Sequence, residues 1–139
     1  MHKNRIIVLL ANQEYADSDA IRTEAGKIFE QYKKLRPSAR WCDTVVNVLS
    51  EDGDGIERVR EKAKQAGAGT VLVQSLAVLG AEFPLIVMGM TWLIDDWGLQ
   101  VCSIDEPGCS DPVFCRKFLN ALAPLVCRFY PGRIEELAY

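Results

Sequence analysis

The side chains best placed to do chemistry fall where strands give way to loops. Asn12, Gln13 and Glu14 follow the first apolar run, and Asp105 and Glu106 follow the last strand-like one. Leu76 and Ala77 end a run between them. Two or three carboxylates brought together can hold a hard cation such as Mg²⁺ through oxygen ligands. The plainer expectation is that these acidic loops face water. Ser18 is the first serine after the opening strand, and as a nucleophile it would need a neighbouring base. Its place at the head of an amphipathic run makes it a helix-capping residue first. Arg58 and Arg60 supply cations, on a helix face shared with Glu61, Lys62 and Lys64 that reads as solvated. The single histidine, His2, stands ahead of the first strand, and the five cysteines (Cys42, Cys102, Cys109, Cys115, Cys127) form no Cys-x-x-Cys pair. Neither a zinc site nor a disulfide framework is expected from that set. No Gly-x-Gly-x-x-Gly or Walker loop is present, so no nucleotide cofactor is expected.

The elements that must position these groups alternate in type. Ile6 to Ala11 is a continuous apolar run, as in a strand covered on both faces. Asp17 or Ser18 caps a helix with apolar positions Ile21, Ala25, Ile28, Phe29 and Tyr32, ending before Pro37. Thr44 to Leu49 is a second strand, and residues 51–55 (Glu-Asp-Gly-Asp-Gly) form a turn. Ile56, Val59, Ala63 and Ala66 mark a helix closing at Gly67 and Gly69, followed by a third strand from Val71 to Leu76. Pro84 opens a helix running to about Trp97, Leu99 to Ile104 is a fourth strand, and Asp111-Pro112 launches a last helix. Such alternation specifies an α/β fold: a mainly parallel central sheet of about four strands with helices on both faces.

Within this frame the chain resembles the catalytic domain of the serine recombinases, the resolvase/invertase family. The family's third strand runs into Leu-Asp-Arg-Leu-Gly/Ser-Arg, a helix, Gly and another strand. Here the loop is Leu76-Ala77-Val78-Leu79-Gly80-Ala81. Both leucines and the glycine are kept, while the Asp and the two Arg positions hold Ala77, Val78 and Ala81. The family's first strand ends in Tyr-Ala-Arg-Val-Ser, with Ser as nucleophile. On that frame Asn12 falls at the Arg position and Glu14 at the Ser position. The family's Arg-Pro-x-Leu ahead of the second helix is replaced by Asp52-Gly53-Asp54-Gly55-Ile56, with no Arg before Arg58. Asn120 to Val126 and Arg133-Ile134-Glu135 resemble the start of the family's long last helix. The resemblance therefore implies a resolvase-like scaffold with a degenerate site at Asn12, Glu14, Ala77, Val78 and Ala81. No catalytic residue, cofactor or metal ligand is assigned.

At 139 residues the chain is expected to form one resolvase-like domain, 1–139, with no separate DNA-binding domain. Its net charge of −3 gives no long-range help to DNA approach, so DNA binding is expected to be weak or nil. No signal peptide or bilayer-length apolar stretch is read, and a cytoplasmic location follows. The helix from Pro84 to Trp97 is apolar nearly all round, as is much of Phe118 to Tyr130. These two helices are expected to form a homodimer face, with a charge at Met90 or Leu125 lowering the mass if that residue is at the interface. The expected function is that of a catalytically inactive resolvase-like domain working through protein contacts, in a setting of mobile DNA. Two alternatives stay open: an active serine recombinase with a rearranged site, and a flavodoxin-like or receiver-like domain for a small ligand or cation.

Overall fold

The computed structural model describes residues 2–11, 17–47 and 54–106, together with 117, 120 and 121. Its elements are β1 (His2–Ala11), α1 (Ser18–Leu35), β2 (Arg40–Asn47), α2 (Asp54–Ala66) and β3 (Ala68–Val73). A short 3₁₀ turn (Leu76–Leu79), α3 (Phe83–Thr91), a π turn (Trp92–Asp96) and β4 (Gln100–Ser103) follow. The four strands are all parallel, in the order β2-β1-β3-β4. The chain thus moves outward from β1 to β2, then crosses back to β3, and the order reverses between β1 and β3. In doubly wound sheets that switch point opens a crevice at the carboxyl ends of the strands.

Alternation along β1 divides the interior. Ile7 and Leu9 turn to one face, where they meet Ile56, Val59 and Ala63 of α2 and Val87 and Met90 of α3. Ile6, Val8 and Leu10 turn to the other, against Ala25, Ile28, Phe29 and Tyr32 of α1. This is why the run reads as apolar without interruption: both faces of the strand are covered. On the α1 side Phe29 stacks on Trp41 with centroids 5.9 Å apart. The thiol of Cys102 lies 3.8 Å from the Tyr32 hydroxyl, and burial pushes the Tyr32 phenol well above its ordinary range.

Several boundaries differ from the sequence expectation, each for a local reason. Asp17 is the cap of α1, accepting from the Ala20 amide at 2.9 Å, so Ser18 becomes the first helical residue. His2 is not ahead of the first strand but begins it, opposite Ala68 of β3. β3 starts three residues early and stops at Val73, because the Ser75 hydroxyl accepts from the Ala77 amide and turns Leu76 into a 3₁₀ turn. The helix from Pro84 ends as a π turn, with the Trp97 amide donating to the Trp92 carbonyl at 2.9 Å.

That helix is covered mostly by its own chain. Val87, Met88, Met90, Leu93 and Ile94 are buried, and Met90 is only 1% exposed. A charge at Met90 would therefore report on the core and not on an interface. Leu85, Ile86, Thr91, Trp92 and Trp97 are half-buried and form the surface this helix keeps. Leu125 and the rest of 122–130 lie outside the described residues, as do the expected helix start at Asp111-Pro112 and the Arg133-Ile134-Glu135 segment. Among the described residues no helix is long and apolar enough to cross a membrane.

Candidate functional site at the carboxyl edge of the sheet

The carboxyl edge is built from the exits of β2, β3 and β4. After β3, Leu76 and Leu79 are buried and anchor the 3₁₀ turn to the α2–α3 core. Between and after them, Ala77 and Ala81 are exposed and Val78 is half-buried. Gly80 lies so close to α3 that a Cβ there would stand 2.5 Å from the Leu85 Cβ. The loop thus keeps its two leucine anchors and its small residue for steric reasons. The positions it presents outward carry only methyl and isopropyl groups, which neither titrate nor hydrogen-bond. Asn12, Gln13 and Glu14 lie outside the described residues.

Glu106 organises this edge. Its carboxylate accepts from the Ser75 hydroxyl at 3.0 Å, from the Leu76 amide at 3.2 Å, and from the Ser103 hydroxyl. Beside it the Gln74 amide group donates to Asp105 at 2.5 Å, while the Asp105 backbone N–H donates to the Gln74 carbonyl at 2.8 Å. The exits of β3 and β4 are latched together by these bonds. Asp105 and Glu106, grouped by sequence with possible cation ligands, are spent on donors of the protein itself. Among the described residues no three His, Cys, Asp or Glu side chains gather in a way that could hold a metal ion.

The β2 exit adds a second tie. Asn47 is 4% exposed, and its side-chain amide donates to the Val78 carbonyl at 2.8 Å, fixing the 3₁₀ turn from the other side. Gly55 of α2 is pressed on Asn47, where a Cβ would sit 2.5 Å from both Cα and Oδ1. Gly55→Ala is expected to push these elements apart at a cost of about 1–3 kcal/mol, read by urea unfolding. An unchanged midpoint would mean the contact is looser than found. Arg58, read from sequence as solvated, reaches back to donate to the Val46 carbonyl at 2.5 Å. Arg60 points elsewhere, pairing with Glu57 at 3.5 Å and lying over the Trp97 ring.

Asn47, Ser75 and Ser103 were not singled out from the sequence. Their signal was present all the same: Asn47 and Ser103 are lone polar residues inside apolar strand runs, and such a residue when buried needs a partner.

With this geometry the chain can be set beside known proteins. Its structure matches the crystal structure of the N-terminal catalytic domain of TP901-1 integrase with a TM-score of 0.61, over 91% of this chain and 98% of that one. The chain has a resolvase-like α/β fold. Sequence identity over the match is 12%, so the likeness is one of fold. No family model and no curated protein matches the sequence. The parallel four-stranded sheet expected from the alternating runs is present, with α1 on one face and α2 and α3 on the other.

Proposed function

We propose that this chain is a catalytically inactive resolvase-like domain that acts through protein contacts, first of all with a second copy of itself. The carrying observation is the loop after β3. Its anchors Leu76 and Leu79 are buried as the scaffold needs, while Ala77, Val78 and Ala81 present no charge or donor between and after them. Phosphoryl transfer to a serine depends on cations and donors aimed at the non-bridging oxygens, and removing one such donor alone slows a reaction about 10²–10³-fold. Asn12 and Glu14, set by the resemblance at the Arg and Ser positions, supply an amide and a repelling carboxylate. Arg58 is a cation at this edge with one N–H donating to the Val46 carbonyl, and one guanidinium does not replace a set of donors acting together.

Self-association is supported by the apolar character of the Pro84–Trp97 helix and of 118–130 in the sequence. Phe83 is 48% exposed and belongs to neither core cluster, so it is the apolar side chain of α3 most available to a partner. Light scattering is expected to give a mass near twice that of the chain, falling to one copy in Phe83→Glu with an unchanged far-ultraviolet spectrum. A wild type that stays monomeric at high micromolar concentration would contradict the pairing. DNA retention at physiological salt is expected to be no tighter than about 10⁻⁴ M. Tight binding of a defined duplex would contradict the protein-contact role.

A further inference from the structure

A second feature lies at the opposite end of the sheet, where β3 and β4 begin. Lys64 in the last turn of α2 and Leu99 just before β4 border a pocket of about 170 Å³, completed by Arg60, Ala63, Asp96 and Trp97. Its floor is apolar, since Ala63 and Leu99 are 2% and 3% exposed. One wall is the Trp97 indole, which has two close neighbours. The Arg60 guanidinium lies 5.5 Å from the ring centroid, and the Trp92 ring stacks at 6.5 Å with a 24° interplanar angle. The π turn brings those two indoles together, and π turns in helices concentrate at functional sites.

Charge at the mouth selects the guest. Arg60 is already used by Trp97 and Glu57. Lys64 and Asp96 border the same small pocket, and among the described residues neither makes a hydrogen bond or ion pair. A simple anion would be drawn to Lys64 and repelled by Asp96, and a simple cation the reverse. A molecule carrying both charges a few bonds apart satisfies both. The volume of about 170 Å³ is below the roughly 300–1,000 Å³ of pockets for drug-sized ligands, which points to a small guest. We infer that this pocket binds a free α-amino acid with a small aliphatic side chain. Its carboxylate lies at Lys64, its ammonium at Asp96, and its side chain on Ala63 and Leu99 against Trp97. The site lies away from the carboxyl edge, and it shares Asp96 and Trp97 with the end of the helix proposed for pairing.

The test is a titration of the full chain followed by heteronuclear NMR at the Trp97 indole N–H and the Leu99 amide. The probes are L-leucine, 4-methylpentanoate (no ammonium) and 3-methylbutylamine (no carboxylate). L-leucine is expected to give saturable shifts with Kd between about 10 μM and 1 mM, the range a molecule of this size reaches. Each truncated probe is expected to bind at least about tenfold more weakly, the loss of one charged hydrogen bond. Asp96→Asn is expected to erase the preference over 4-methylpentanoate, and Lys64→Gln the preference over the amine. Both residues are exposed, and an unchanged amide spectrum confirms the fold. No saturable shift up to about 10 mM leucine, equal responses to the three probes, or unchanged preferences in both variants would each overturn the assignment.

Discussion

Met90→Glu is expected to leave the chain unfolded or nearly so. Met90 is 1% exposed and sits in the cluster where α3 meets the sheet, among Ile7, Val71, Val87 and Leu93. That cluster is apolar throughout, so a carboxylate placed in it has neither a cation nor a donor. Burying an unpaired charge is among the few single changes that cost more than about 4–5 kcal/mol. Whole domains of this kind are stable by only about 5–15 kcal/mol. Met90→Leu keeps shape and volume and is expected to cost less than about 1.5 kcal/mol. Far-ultraviolet circular dichroism with urea unfolding separates the two. A cooperative, native-like Met90→Glu protein would mean that α3 does not seat in the core as found.

Glu106→Ala is the second large effect, and it concerns the candidate site. The substitution removes one acceptor from three donors: the Ser75 hydroxyl, the Leu76 amide and the Ser103 hydroxyl. Ser103 is fully buried, and the Gln74 carbonyl at 3.5 Å is the contact left to it. Leaving a buried donor without its charged partner costs about 2–4 kcal/mol when the secondary loss at Leu76 is included. The strand ladders do not depend on this carboxylate, so the damage should concentrate at the edge. Amide exchange at Leu76 to Leu79 is expected to accelerate more than exchange in β1. Pairing the change with Ser103→Ala should recover part of the loss, because the orphaned hydroxyl goes with it. A Glu106→Ala protein within about 0.5 kcal/mol of wild type would show that the latch is incidental.

How far the sequence disclosed all this varied with the kind of signal. β1 was legible because a strand covered on both faces is apolar at consecutive positions, and Ile6 to Leu10 are all buried. α1 was legible from its three-and-four spacing and from Asp17, whose carboxylate finds the Ala20 amide. The end of β3 was not. The polar pair Gln74-Ser75 was read as part of the strand, and the Ser75 hydroxyl turning back on the Ala77 amide ends the strand before Leu76. The edge was legible in its anchors and blank in its ties. Leu76 and Leu79 are buried and Gly80 is pressed on Leu85, positions set by residue size. Asn47 bonding Val78, and Glu106 bonding Ser75 and Ser103, join residues about thirty apart in sequence or strand to loop, and no local pattern announces such pairs. Arg58 is exposed, as the row of charges implied, but its bond to the end of β2 was not legible for the same reason. On its own helix it is one of a row of charges, and only the end of β2 gives it a carbonyl.

The proposed inactivity of this resolvase-like scaffold is open to a single assay. The direct measurement is to incubate the full chain with supercoiled DNA, quench in denaturant, and look for protein covalently joined to DNA together with nicked or linear product. If the proposed inactive reading holds, with Ala77, Val78 and Ala81 at the loop after β3 and Glu14 in place of a serine, no adduct and no conversion above a protein-free control are expected. A covalent adduct that forms with the wild type and disappears in Ser18→Ala would contradict it, and would place the nucleophile on the first residue of α1.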